Sequence, residues 1–166
     1  DSHKSLPTVP HNRARLDSVE LFPFQNAIQQ DIGRIMVAHL RVPKLESTTD
    51  LATTLSPKVV TQLLKEEMGF EGLIFTDALN MKGVSAYYKP GEVDVKALLA
   101  GNDVLLFSED VPTAIKKIKE AIKGKEISAK EITKRVRKIL EYKKTFGVDK
   151  FVPIGKDNLH EDLNNK

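Results

Sequence analysis

The sequence contains no cysteine, which excludes disulfides and thiolate metal sites. It also lacks any apolar run approaching the length or purity of a membrane-spanning helix. Charge of one sign is missing too. The 26 Lys and Arg nearly balance the 23 Asp and Glu, leaving a net charge of +3, so the whole-chain charge identifies no polyanionic partner. Aromatic residues make up only 6% of the chain and do not interleave with the basic stretches, as stacking on nucleic-acid bases requires. His11 and His160 lie in polar segments, and no His/Asp/Glu spacing matches a zinc or calcium motif. Metal binding and nucleic-acid binding are both disfavoured.

The chain does have the means to build one core: 166 residues, 40% of them hydrophobic. Three apolar runs read as buried parallel strands: Ile35 to His39, Leu73 to Asp77, and Asp103 to Phe107. Helical patterns alternate with them, which predicts an α/β fold. Thr8 to Ser18 is polar and turn-rich and reads as a mobile loop, and Pro23 to Ile32 as a short helix. Ser56-Pro57 is a hydroxyl N-cap followed by a proline in the first helical turn. It opens a helix through Val60, Leu63, Leu64 and Met68 that Gly69 closes. A further helix spans Gly91 to Ala100 and ends at Gly101.

Two basic helices follow. The first, from about Pro112 to Lys123, places Ile115, Ile118 and Ile122 inward. The second has Ser128 and Glu131 in capping-box spacing and places Ile132, Val136, Ile139, Leu140 and Phe146 on one side. Lys116, Lys117, Lys119, Lys123, Lys134, Arg135, Arg137 and Lys138 are then expected on the solvated faces, interrupted by Glu120, Glu131 and Glu141.

The most informative stretch is Gly72 to Leu79, where a carboxylate, Asp77, stands at the end of a buried strand. In barrels of alternating strands and helices, catalytic groups sit at the carboxyl ends of strands, where a rigid strand aims the side chain and a loop exposes it. His39 ends another apolar strand, and a lone histidine there reads as a hydrogen-bonded structural residue rather than a ligand. At the start of the chain, Asp1-Ser2-His3 places a carboxylate two residues from an imidazole. Such a carboxylate can fix the tautomer of a histidine able to give and take protons near neutral pH.

Phe75-Thr76-Asp77-Ala78-Leu79-Asn80-Met81-Lys82-Gly83 resembles the nucleophile motif of glycoside hydrolase family 3, in the branch that releases β-linked N-acetylglucosamine. Asp1-Ser2-His3 resembles that branch's loop motif, and Lys96 to Asp103 resembles the helix and strand that close the family's barrel. The resemblance implies that Asp77 is the nucleophile, His3 the general acid/base with Asp1 orienting it, and Met81 part of the sugar pocket. It implies a retaining mechanism without an inorganic cofactor, and a bacterial enzyme acting on N-acetylglucosamine units of peptidoglycan-derived glycans. Alternatives are a β-glucosidase-type exo-hydrolase of the same family and a non-catalytic basic binding module.

A full (β/α)8 barrel needs ~250 residues, with ~200 as a lower bound. The expectation is therefore the C-terminal portion of such a barrel at 1–147, with about three parallel strands. A linker at 148–166 would lead toward a further domain. The Lys-His-Phe-Pro-Gly-His-Gly stretch that precedes the dyad in the family is absent. The partners expected are thus the glycan, the missing N-terminal half of the barrel and a C-terminal domain. The isolated chain is expected to be inactive.

Overall fold

The computed structural model describes residues 5–153 and 157–164. Its sheet has three parallel strands in the order β1 (Arg34–Val37), β2 (Leu73–Ala78), β3 (Val104–Leu106). The helical elements run in chain order as α1 (Arg13–Arg15), α2 (Phe22–Gln29), α3 (Lys82–Ser85), α4 (Glu92–Ala100), α5 (Val111–Lys123), α6 (Ala129–Thr145) and α7 (Leu159–Asn164). Two wide-turned segments, Leu16–Glu20 and Lys58–Glu67, have bonds spanning five residues, as from the Met68 N–H to the Leu63 carbonyl at 2.9 Å. Short 3-10 turns occur at Thr53–Leu55 and Val148–Lys150.

The alternation read from the sequence is present, with strand ends displaced by one or two residues. β1 ends at Val37 rather than His39, because the His39 ring turns into the protein instead of continuing the ladder. Thr8 to Ser18 departs from the expected mobile loop. The Thr8 region makes a parallel bridge to Arg41, and Arg13–Glu20 is helical, opened by the Asn12 side chain accepting the Arg15 N–H. The tail contains the turn at Val148–Lys150 and the short α7.

One face of the sheet carries Ile35, Val37 and Ile74 into a cluster with Val60, Leu64 and Phe70. The Lys58–Glu67 helix stays on that face because its own apolar stripe, Val59, Val60, Leu63 and Leu64, is buried there. A second cluster brings Leu79, Val84, Val93 and Ala97 together with Ala52 and Leu55. The opposite face carries Arg34, Leu73, Phe75 and Val104, partly covered by Ile139, Tyr142, Phe146 and Val148. Its Met36 is 54% exposed.

β2 carries one extra residue against β3. Phe75 pairs with Val104 and Ala78 with Leu106, so three steps on β2 oppose two on β3. Thr76 partly repairs the ladder, its Oγ1 accepting the Leu106 N–H at 2.9 Å. Asp77 lies inside this irregular step.

The basic helices differ from expectation in two respects. Ile115, Val136, Leu140 and Phe146 are exposed rather than inward; α6 buries only one edge of its stripe, with Ile132 and Ile139 partly covered. Arg135 and Lys138 are not on the solvated face. The Lys138 ammonium donates to the Gly72 carbonyl at 2.6 Å and to the Asp103 carboxylate at 3.0 Å. Burial lowers the Arg135 pKa, opposed by Asp103 and Glu131. Lys138 is drawn inward by a buried carboxylate and an open carbonyl at the amino end of the sheet, and Arg135 is half-buried near the same carboxylate.

Candidate active site at the carboxyl end of the second strand

Asp77 is half-buried near the carboxyl end of β2. Its Oδ1 accepts the N–H of the next residue, Ala78, at 2.8 Å. The side chain is thereby folded back on its own backbone and held in one orientation, while Oδ2 has no hydrogen-bond partner among the described residues. A carboxylate with one oxygen anchored and one open is suited to attack an electrophile without first reorganising.

The turn after Asp77 is equally constrained. The Ala78 carbonyl accepts the Met81 N–H at 3.1 Å and the His39 Nε2–H at 3.0 Å. Leu79 is fully buried, and its N–H reaches the Leu106 carbonyl at 2.9 Å. Met81 precedes α3 and is buried, only 8% exposed.

His39 has no exposed surface. Its Nδ1 lies 2.8 Å from Thr54 Oγ1. Burial lowers its pKa below the usual imidazole value, opposed by its bond to the Ala78 carbonyl and by the Asp77 charge. The ring is neutral near neutral pH. Because a carbonyl can only accept, the hydrogen is on Nε2 and Nδ1 receives the Thr54 hydroxyl. Both nitrogens are occupied, so His39 is no proton shuttle.

Glu46 organises the loop after β1. Its carboxylate is buried yet accepts the Thr48 N–H at 2.9 Å, the Thr48 hydroxyl at 2.8 Å, the Ser56 hydroxyl at 2.7 Å and the Lys58 ammonium at 3.4 Å. Burial alone would raise its pKa, but these donors outweigh it and lower it to about 2. Ser56 is thereby both a helix start, its Oγ accepting the Val59 N–H at 3.3 Å, and a loop anchor. On the other side, Asp94 is buried in α4 and accepts the Ser108 hydroxyl just beyond β3. Phe107, between them in the chain's path, is held at φ +50 and is 72% exposed, a strained backbone position beside the site.

Of the residues expected at the site, Asp77 and Met81 share one turn. Asp1 and His3 lie outside the described residues. The chain that leads back to them is anchored at the same rim: the Val9 N–H donates to the Arg41 carbonyl and the Arg41 N–H to the Pro7 carbonyl, each at 2.8 Å. His3 precedes Thr8 by five residue steps, a reach of at most about 18 Å. Sequence reasoning missed the parts played by Glu46, Thr54 and Asp94. Among the described residues, no three His, Asp or Glu side chains converge as a metal site, and no helix is long and apolar enough to cross a membrane.

Residues 1–142 match the model of the glycosyl hydrolase family 3 N-terminal domain. The chain belongs to glycoside hydrolase family 3. It is 34% identical over 126 residues to a beta-hexosaminidase A of Pseudoalteromonas piscicida, covering 70% of this chain and 20% of that relative. It is also 34% identical over 114 residues to a beta-hexosaminidase of Nitrosospira multiformis, covering 69% of this chain and 32% of that protein. Among solved structures, a family 3 beta-N-acetylglucosaminidase from Paenibacillus superposes with a TM-score of 0.88 at 37% identity, over 93% of this chain and 30% of the other. The chain thus spans between a fifth and a third of these family 3 relatives. Its three parallel strands with surrounding helices match part of the family's barrel domain.

Proposed function

We propose that this chain supplies the nucleophile side of a retaining β-N-acetylglucosaminidase. The observation that carries the reading is the half-buried Asp77 carboxylate, pinned through Oδ1 at a strand's carboxyl end with Oδ2 open. The printed names of the relatives, beta-hexosaminidases and a beta-N-acetylglucosaminidase, support the substrate class.

In the first step, Asp77 Oδ2 attacks the anomeric carbon while the glycosidic C–O bond breaks. The His3 imidazolium gives its proton to the departing oxygen. In the second step, neutral His3 takes a proton from water, and the water oxygen displaces Asp77 from the same carbon. Two inversions give net retention. Asp1 orients the His3 ring and stabilises its cation, and Met81 supports the pocket floor. The substrate is a glycan ending in β-linked N-acetylglucosamine, such as a peptidoglycan fragment. The pocket is completed by strands outside this sequence, since three strands leave one sheet face and both sheet edges without the rest of a barrel. A further domain beyond 148–166 belongs to the same proposal.

Trapping the complete enzyme with an activated fluorinated N-acetylglucosamine analogue tests the reading. The expected result is a covalent label on the peptide carrying Asp77, found by mass spectrometry. A label at any other carboxylate overturns it, and the isolated 166-residue chain is expected to turn over no substrate.

A further inference from the structure

We propose that His39 is a positioning residue for this reaction: through the Ala78 carbonyl, its imidazole fixes the Asp77 carboxylate and Met81 on one rigid turn. This rests on Asp77 being the nucleophile and adds the means by which its aim is kept.

Both backbone groups of Ala78 are committed. Its N–H holds Asp77 Oδ1 at 2.8 Å. Its carbonyl uses both lone pairs, on the His39 Nε2–H at 3.0 Å and the Met81 N–H at 3.1 Å. Rotation about the Ala78 backbone would break all three bonds together, so the N–H that holds the carboxylate keeps its direction for as long as the imidazole holds the carbonyl. The ordinary β1–β2 ladder ends at Val37 and Thr76, and the extra residue on β2 weakens pairing with β3 at this point. The side chain of His39 therefore supplies the cross-strand link that the backbone ladder does not.

Thr54 completes the device. Its hydroxyl, 2.8 Å from Nδ1, also lies 2.8 Å from the Ala38 carbonyl. It is also within reach of the Val37 carbonyl at 3.1 Å, so the hydroxyl is held in place beside the ring by backbone. Because the Ala78 carbonyl can only accept, the neutral ring keeps its N–H on Nε2, aimed at Ala78, and presents Nδ1 to the hydroxyl. A neutral donor suits the place, because a fixed cation next to Asp77 would stabilise the carboxylate before attack and blunt it as a nucleophile. Imidazole and hydroxyl are both fully buried, so they face no substrate and their hydrogen bonds reach the reaction through the turn.

The test uses the complete enzyme with three variants: His39→Leu, His39→Gln and Thr54→Val. His39→Leu fills similar space without a donor, and kcat is expected to fall about 100-fold, as a misplaced reacting group costs, with KM within about threefold. The fluorinated analogue should still label Asp77, but more slowly. His39→Gln keeps an N–H at similar reach and should recover at least about tenfold of that loss. Thr54→Val frees the tautomer and is expected to lower kcat by about tenfold. An unchanged kcat in folded His39→Leu overturns the proposal. So does a loss that Gln fails to rescue although both variants melt together. If His39→Leu does not fold, Thr54→Val decides: a kcat equal to wild type overturns it. Failure of the nucleophile assignment is separate and shows as a label away from Asp77 in the wild-type enzyme.

Discussion

At the amino end of the sheet, the Asp103 carboxylate accepts the Ile74 N–H at 3.0 Å and the Lys138 ammonium at 3.0 Å. Lys138 also donates to Gly72, and Lys65 reaches the Gly101 carbonyl. At the carboxyl end, Asp77 has one anchored oxygen and one without a partner among the described residues, beside a strained Phe107. Both ends bury carboxylates next to backbone. They differ in whether the carboxylate meets a cation: Lys138 pairs with Asp103, whereas no ion pair reaches Asp77 among the described residues. Where the charge is paired, the arrangement serves stability; where it is left unpaired, reactivity becomes available.

Four substitutions sharpen that contrast. The largest effect is expected for Asp77→Asn in the complete enzyme: turnover should fall by more than about 1000-fold, roughly 4 kcal/mol of transition-state stabilisation, with the melting temperature little changed. A variant that keeps its activity would erase the distinction between the two ends.

Next comes the pH response of Glu46. Its folded pKa of about 2 lies below the reference value of 4.5, so its stabilisation is fully present above pH 4.5. It is lost as pH falls from there through 2. The depression corresponds to about 3 kcal/mol. Glu46→Gln should remove that part of the acid sensitivity, read from urea midpoints between pH 5 and about 2.

Asp103→Ala should cost roughly 2 to 3 kcal/mol in urea unfolding, because it strands the Ile74 N–H and unpairs a partly covered ammonium. The folded fraction should keep its kcat. If kcat instead falls while stability holds, the amino end is not the purely structural pole. Smallest is Arg13→Ala, which removes exposed pairs to Asp17 and Glu67. Such pairs contribute about 0.5 kcal/mol, and raising salt to ~1 M should erase even that difference.

The elements were legible where the signal is local. Ser56-Pro57 marked a helix start, Gly69 and Gly101 marked helix ends with φ of +70 and +117, and the run before Asp77 marked β2. At Gly101 an added Cβ would also strike the Thr61 hydroxyl, so glycine is required twice over. Illegible features depend on pairs distant in the chain. Nothing local announces that the imidazole at 39 will meet a hydroxyl 15 residues away and a carbonyl 39 away. Lys138 looks like any solvated lysine until Asp103 and Gly72, 35 and 66 residues back, are brought beside it. The stripe on α6 misled for the opposite reason: Val136 and Leu140 have apolar spacing, yet no described element covers them.

The single extra residue in β2 has a consequence for how this segment can vary. Side chains alternate across a strand, so removing one residue between Phe75 and Ala78 would regularise the pairing with β3 while exchanging the faces of everything upstream or downstream of the cut. Asp77 would then be directed toward the helical layer, away from any sugar. Composition in this stretch can drift among apolar types at modest cost. Its length cannot: a one-codon deletion should be far more damaging than most substitutions on either side.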